Sequence, residues 1–344
     1  MGEPGEGTRA EGASSPREAA VRVLAFAARA VAWTVLVVVL VPVLARLTGF
    51  EAGPLAVAVS MVPWATLAAV IPVALAAAAR AWNLLAAAAA VLVLGIVWIA
   101  PLYVAETATG EPVLRIGTLS LGSGAASSDA IVAMVREQDL DVLALTEVVP
   151  ETEQRLADAG LDLLLPHHVA FPEYEKHGTG LWSRLPLSDG TSLDGMAAHL
   201  VRAQVETAEG PLTVIVAHPE SPNPLEHGQW ESDLEVLHTV LETQDGPVVV
   251  AGDLNATRDH RAFRAIEELG YADAVEQAGA GFIPTFPRGM FSWRLRLVRS
   301  VIDSPLVAID HVLVRDAGLV ATHVDGVEVP WTDHRGLVVE YSRG

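Results

Sequence analysis

VVVAGDLNAT, Val248 to Thr257, is where fold and chemistry meet in this chain. Three valines and an alanine form an apolar run that reads as a buried strand. Gly252, Asp253, Leu254 and Asn255 follow at once with turn chemistry. Side chains alternate along an extended backbone, so Asp253 and Asn255 project to one side at the C-terminal tip of the strand. Alone, the stretch is either a strand closed by an Asx turn or the edge of an active site. Its neighbours decide between the two.

Immediately upstream, PLTVIVAHP (211–219) reads as a second buried strand, ending at His218, and Gln229 to Thr243 has helical spacing. Downstream, HRAFRAIEEL (260–269) reads as a helix opened by Asp259. Further out, PVLRIGTLSL begins an alternating run at Pro112. AIVAMVREQ suits a helix capped near Ser128 or Asp129, and LDVLALTEV returns to strand and delivers Glu147. A helix over Glu151 to Ala159 and strands at GTGLWSRL and HLVRAQVET follow. IDHVLVRD and GLVVEY close the chain with TDHRG between them. Several strand pairs are joined by short connections, which predicts mixed or antiparallel sheets in an α+β layered sandwich.

Polar residues gather where these apolar runs end: Glu147, His218, Asp253 with Asn255, Asp310 with His311, and Asp333 with His334. Five such strand-end positions sharing one context are hard to read as solvated loop residues. Carboxylate and amide oxygens suit Mg²⁺ or Mn²⁺, and a carboxylate beside a histidine orients the ring and stabilises its protonated form. Hydrolysis of a phosphate ester needs such a set.

ALTEV, AHP, AGDLNAT, IDHVLV and TDHRG, in this order, resemble the metal-dependent endonuclease/exonuclease/phosphatase (DNase I-like) superfamily over residues 113–344. The resemblance implies a four-layer α/β/β/α sandwich and a hydrolase acting on phosphate ester bonds, with Mg²⁺, or Mn²⁺, as cofactor. It implies that Glu147 is the principal metal ligand and that Asp333 completes the metal or water shell. Asp253 would align or deprotonate the attacking water, Asn255 hold phosphoryl oxygens, His218 stabilise the phosphate or assist the leaving group, and Asp310 orient His334. His311 has no role in the family pattern. Ser120 stands where the family usually has Asn near the metal, in the position of a substrate contact, and Thr146 stands where it usually has Gln.

The 344 residues are 51% hydrophobic and contain no cysteine, which excludes thiolate metal sites and a cysteine nucleophile. The formal net charge is −20. Up to Pro112 the count is seven acids against six arginines, so nearly all of the excess lies in the later domain. Such a surface disfavours long duplex nucleic acid but not a cation-dependent enzyme.

Residues 1–21 read as a disordered cytoplasmic tail. The 22–104 region holds three apolar segments, Leu24–Leu44, Pro54–Ala79 and Trp82–Tyr103, each long enough to cross about 30 Å of hydrocarbon. Residues 105–112 read as a linker. The N-terminal spans resemble a bacterial membrane-tethered branch of the superfamily. Arg9, Arg17, Arg22, Arg29 and Arg80 fall on one side, so the positive-inside rule places the N-terminus in the cytoplasm. Three spans then make a multi-pass cell-membrane protein with its catalytic domain outside.

Residues 282–305 place Arg288, Arg294, Arg296 and Arg299 among Phe286, Phe291 and Trp293. The mixture suits contact with anionic lipid, or a phosphate clamp that makes Arg288 and Arg294 substrate-binding residues. The expectation is a membrane-anchored phosphoesterase acting on a phospholipid head group, a small phosphate ester or extracellular nucleic acid. The alternative is a catalytically weakened surface module that binds a phosphorylated or protein partner.

Overall fold

The computed structural model describes residues 16–223, 228–288 and 304–344. They form two units. One holds the chain up to Val41 with Trp64–Ile96, and the other holds Pro42–Pro63 with Val97–Gly344.

Among the described residues, five α-helices precede the sheets: α1 (Pro16–Thr48), α2 (Pro54–Val59), α3 (Val62–Ala68), α4 (Val70–Ala78) and α5 (Trp82–Ile99). In the first unit Ala32, Leu36, Ala76, Leu84 and Ala88 form one apolar cluster. Arg29 donates to the carbonyl of Ala79 at 2.9 Å, so this cation satisfies the open C-terminal end of a helix. Phe26, Trp33, Val37, Val93 and Ile96 are exposed.

Among the described residues, two helices are long and apolar enough to cross a membrane, Pro16–Thr48 and Trp82–Tyr103. The expected middle span, Pro54–Ala79, is not one helix. Pro63 and Pro72 each fall in the first turn of a helix, where the missing N–H costs nothing, and so each opens a new segment. Pro54–Val59 belongs to the second unit, which leaves Val62–Ala78 as a shorter apolar stretch.

The second unit is a sandwich. Its elements are β1 (Thr109–Ser120), α6 (Ser128–Glu137), β2 (Val142–Thr146), α7 (Pro150–Asp158), β3 (His167–Phe171), β4 (Thr179–Ser183), β5 (Leu187–Leu193), β6 (Leu200–Thr207), β7 (Gly210–Val216), α8 (Gly228–Glu242), β8 (Val248–Asp253), α9 (Arg261–Glu268), β9 (Ala272–Asp273), α10 (Ala274–Gln277), β10 (Asp310–Arg315), β11 (Leu319–Glu328) and β12 (Arg335–Arg343). One sheet runs β11-β12-β1-β2-β4-β3 and the other β5-β6-β7-β8-β10-β9. Strands β3, β5, β9 and β11 are missing from the sequence reading. The burial patterns of β3 and β5 lack the apolar runs that mark the central strands. The expected linker is shorter than it read, because β1 begins at Thr109, which pairs with Arg343.

Each sheet contains one parallel pair at its middle, β1 with β2 and β7 with β8; the other pairings are antiparallel. A parallel pair needs a crossover, and α6 and α8 supply the two. Alternation then sorts the side chains into layers. Ile116, Val142 and Ala144 from one sheet meet Val214, Val249, Ala251 and Val312 from the other. On the outer face of the first sheet, Leu143 and Leu145 bury Ile131 of α6 and Leu156 of α7. On that of the second, Val248, Val250 and Leu313 bury Leu237, Phe263 and Ile266 of α8 and α9. The result is a mixed α+β, two-sheet sandwich with helices outside both sheets.

Gly252 sits at the tip of β8 with φ +146°, where a Cβ would lie 2.1 Å from the carbonyl oxygen of Ala217. Only glycine lets β8 and the end of β7 approach this closely. Gly252→Ala is expected to cost at least about 2 kcal/mol, read as a lower thermal unfolding midpoint of the purified full chain.

Candidate active site

Five strand ends converge at one edge of the sandwich. Glu147 follows β2, His218 follows β7, and Asp253 ends β8 with Asn255 just beyond. Asp310 opens β10, and Asp333 and His334 lead into β12. Glu147, His218, Asp253, Asn255, Asp333 and His334 all line one cleft of about 430 Å³. Two of the turns that deliver them bend into the left-handed region, with φ +60° at Glu147 and +47° at Asn255. Asparagine tolerates that conformation; for glutamate it is uncommon and marks a backbone held by its surroundings.

The centre of the site is a triangle. Antiparallel register sets Asp310 directly opposite Asp253, and both are buried. His334 lies against both: its Nδ1 donates to Asp310 Oδ2 at 2.8 Å, and its Nε2 stands 3.6 Å from Asp253 Oδ2. Burial alone would push the ring's pKa down, but Asp310 and then Asp253 outweigh it and hold it at about 10. His334 is therefore an imidazolium at neutral pH. Asp253 moves up from the carboxylate range, chiefly by burial; His334 opposes that rise and Asp310 adds to it. Asp253 Oδ1 accepts from the Asn255 N–H at 2.9 Å, the Asx turn read from the sequence.

His218 is the opposite kind of histidine. Its Nδ1 donates to the Lys176 carbonyl at 2.9 Å. Its Nε2 faces Asp253 at 3.7 Å and Glu147 at 4.0 Å, gaps too long for hydrogen bonds. Burial, and next the charge of His334, lower its pKa to about 4, so it is neutral. Glu147 accepts from the Ser123 N–H; burial raises its pKa despite that bond, and Asp333 adds to the rise. Asn255 donates from Nδ2 to the Pro219 carbonyl at 2.9 Å, which orients its amide at the cleft.

Glu147 and exposed Asp333 offer hard carboxylate oxygens on one cleft, so this donor set fits Mg²⁺ or Mn²⁺. Behind them, in register, lie the hydroxyls of Ser120 and Thr146, both buried and without a hydrogen-bond partner. The ligand atoms of Asp253, Asp310 and His334 also fall within 4.8 Å of one another.

Other expected residues lie elsewhere. Ser120 is buried and absent from the cleft lining; its carbonyl accepts from Thr332 Oγ1 at 2.7 Å. Arg288 turns away from the cleft to the Val329 carbonyl at 3.0 Å and to Glu328 at 3.1 Å. Arg294, with most of the 282–305 patch, lies outside the described residues. His311 is buried behind the site, bonded to Asp273 at 2.7 Å and to the Ala256 carbonyl at 3.1 Å. Lys176, Ser221, Phe286 and Trp331 also line the cleft. The ring of Phe286 lies 4.8 Å from that of His334, and Trp331 is 79% exposed with φ +71°. None of these ends an apolar run, the one signal that could have singled them out.

The chain belongs to the Endonuclease/Exonuclease/phosphatase family, whose model matches residues 115–334, and it is a hydrolase of phosphate ester bonds. No curated protein sequence matches it. Among solved structures it is similar to an endonuclease/exonuclease/phosphatase from Beutenbergia cavernae, with 20% identity and a TM-score of 0.53 over 68% of this chain and 72% of that one. It is also similar to an AP endonuclease from Archaeoglobus fulgidus, with 18% identity and a TM-score of 0.52 over 66% and 98%. A third is a humanized TDP2 from D. rerio, with 16% identity and a TM-score of 0.52 over 67% and 98%. At these identities the structures speak for the fold.

Asp310→Asn removes the carboxylate that holds His334 charged. The ring should then titrate at lower pH than in the parent, losing its proton as pH rises through the lowered value. Proton NMR of the histidine rings reads this directly, and an unmoved His334 would contradict the assignment.

Proposed function

We propose that this hydrolase is anchored in a membrane and cleaves phosphomonoesters or phosphodiesters by in-line attack of water, with Mg²⁺ or Mn²⁺ held by Glu147 and Asp333. One observation carries the reading: six strand-end residues from both sheets share a single cleft, and one of them, buried His334, is bonded to Asp310.

Asp253 aligns the water and takes its proton; burial makes it a stronger base than an exposed aspartate. Asn255 has one amide N–H on Pro219 and a second left for a phosphoryl oxygen. His334, kept charged by Asp310, offsets the negative charge that builds on the phosphoryl oxygens. His218 is neutral until a phosphate enters, whose charge raises its basicity and lets it donate. Lys176, paired with Glu220 at the cleft wall, adds a cation on the substrate side. A divalent cation bound by the carboxylates supplies further charge for the same oxygens.

The acidic surface supports a small phosphate ester or a phospholipid head group over long duplex nucleic acid. Two long apolar helices and the intervening apolar stretch support a multi-pass anchor, and the arginine distribution supports a catalytic domain outside the cell membrane.

The test uses the full chain in detergent with bis(p-nitrophenyl) phosphate, p-nitrophenyl phosphate and Mg²⁺. Asp253→Ala and His334→Ala should each lower turnover by at least about 10²-fold while the chain stays folded at the assay temperature, and EDTA should abolish hydrolysis. Near-parental turnover in either variant would sink the proposal.

A further inference from the structure

The loop that leaves β8 after Asn255 is held by residues far upstream. Four consecutive side chains or backbone groups are engaged. The Arg258 guanidinium donates to the Trp98 carbonyl. Asp259 accepts from Arg46 Nε at 2.6 Å, with both side chains largely buried. His260 Nε2 donates to the Ala56 carbonyl at 2.8 Å, while its Nδ1 accepts from the Thr257 N–H at 2.8 Å. The Arg261 N–H donates to Glu51 at 2.8 Å. The His260 pattern fixes the neutral tautomer, and burial keeps the ring uncharged.

An apolar contact backs the polar ones. Ala56 clusters with Trp230, Leu234 and Ala256, and Trp230 Nε1 donates to the Asn255 carbonyl at 3.0 Å. One side chain thus touches both the upstream segment and the backbone of a cleft residue. The sequence placed Pro42–Pro63 in a membrane region; the contacts place it in the catalytic unit.

We infer that Pro42–Pro63 is a docking segment of the catalytic domain: it lies on the domain's side of the membrane and holds the loop Asn255–Arg261 in its working position. The statement about sides rests on the membrane reading proposed above; the statement about the loop does not. A consequence follows for topology. The chain leaves the domain at Pro63 and rejoins it at Val97, so residues 64–96 cross the bilayer an even number of times. With α5 as one crossing, Val62–Ala78 must be the other despite being short, and α1 makes the total odd. Arg46, Glu51 and His260 are positioning residues, acting on the reaction through Asn255.

The chain contains no cysteine, so single cysteines report cleanly. Phe50→Cys, Ser188→Cys and Arg80→Cys are made in the full chain and treated with a membrane-impermeant maleimide in intact cells and in inverted vesicles. All three positions are exposed. Phe50→Cys and Ser188→Cys should label from the same side and Arg80→Cys from the other. Labelling of Phe50→Cys and Ser188→Cys from opposite sides overturns the inference. Equal labelling of all three from both sides overturns the membrane reading instead, and leaves the loop to the second measurement.

That measurement is Arg46→Asp alone and combined with Asp259→Arg. The single change should lower kcat for bis(p-nitrophenyl) phosphate about tenfold and leave KM within about twofold, and the charge-swapped double variant should recover most of the loss. Unchanged kcat in Arg46→Asp overturns the positioning role. If the parent itself hydrolyses nothing, the proposed function fails, and reactivity of a cysteine at Glu51 decides the docking. Slow modification that accelerates in Arg46→Asp upholds it, and fast modification in both overturns it.

Discussion

Two aspartates face each other across neighbouring strands at the heart of this molecule, both buried. Like charges directly opposite in a sheet repel, and burial strips them of the solvent that would screen them. His334 resolves the conflict by carrying a proton on each ring nitrogen, one donated to Asp310 and one turned toward Asp253. The geometry of the site depends on this charge balance. The two sheets, the register of β8 with β10 and the turn before β12 bring the three side chains together; without the imidazolium, that register would be destabilising.

Other features of the cleft follow from holding one histidine charged and the other neutral. Burial pushes His218 down, and the charge of His334 adds to the fall. Two histidines of identical intrinsic basicity therefore differ by several pH units in one cleft, because one has a carboxylate on its Nδ1 and the other a backbone carbonyl. The difference separates a permanent positive charge from a group that responds to substrate.

Much of this was legible in the sequence where apolar runs ended in chemistry-bearing residues. Glu147, His218, Asp253, Asn255, Asp310 and His334 each terminate or open a strand that alternation and β-branching make plain. Lys176 and Trp331 sit in loops with no periodic context, so nothing local marks them as cleft residues. Arg288 was misplaced for a related reason: an arginine among aromatics does not say which carboxylate it meets, and here it meets Glu328. Hydropathy also misleads over Pro54–Val59. It measures transfer out of water and cannot tell a helix that faces lipid from one, such as Pro54–Val59, that is buried against Trp230.

The docked segment has a consequence for how such a protein is inherited. Its catalytic domain is discontinuous, because one of its structural pieces lies between two apolar stretches that hydropathy assigns wholly to the anchor. An exchange of the apolar N-terminal region at the segment before β1 would carry away Arg46, Glu51 and Ala56 and strand the loop they hold. The N-terminal region and the domain are thus tied to a shared lineage, and drift in Arg46 should be matched by drift in Asp259.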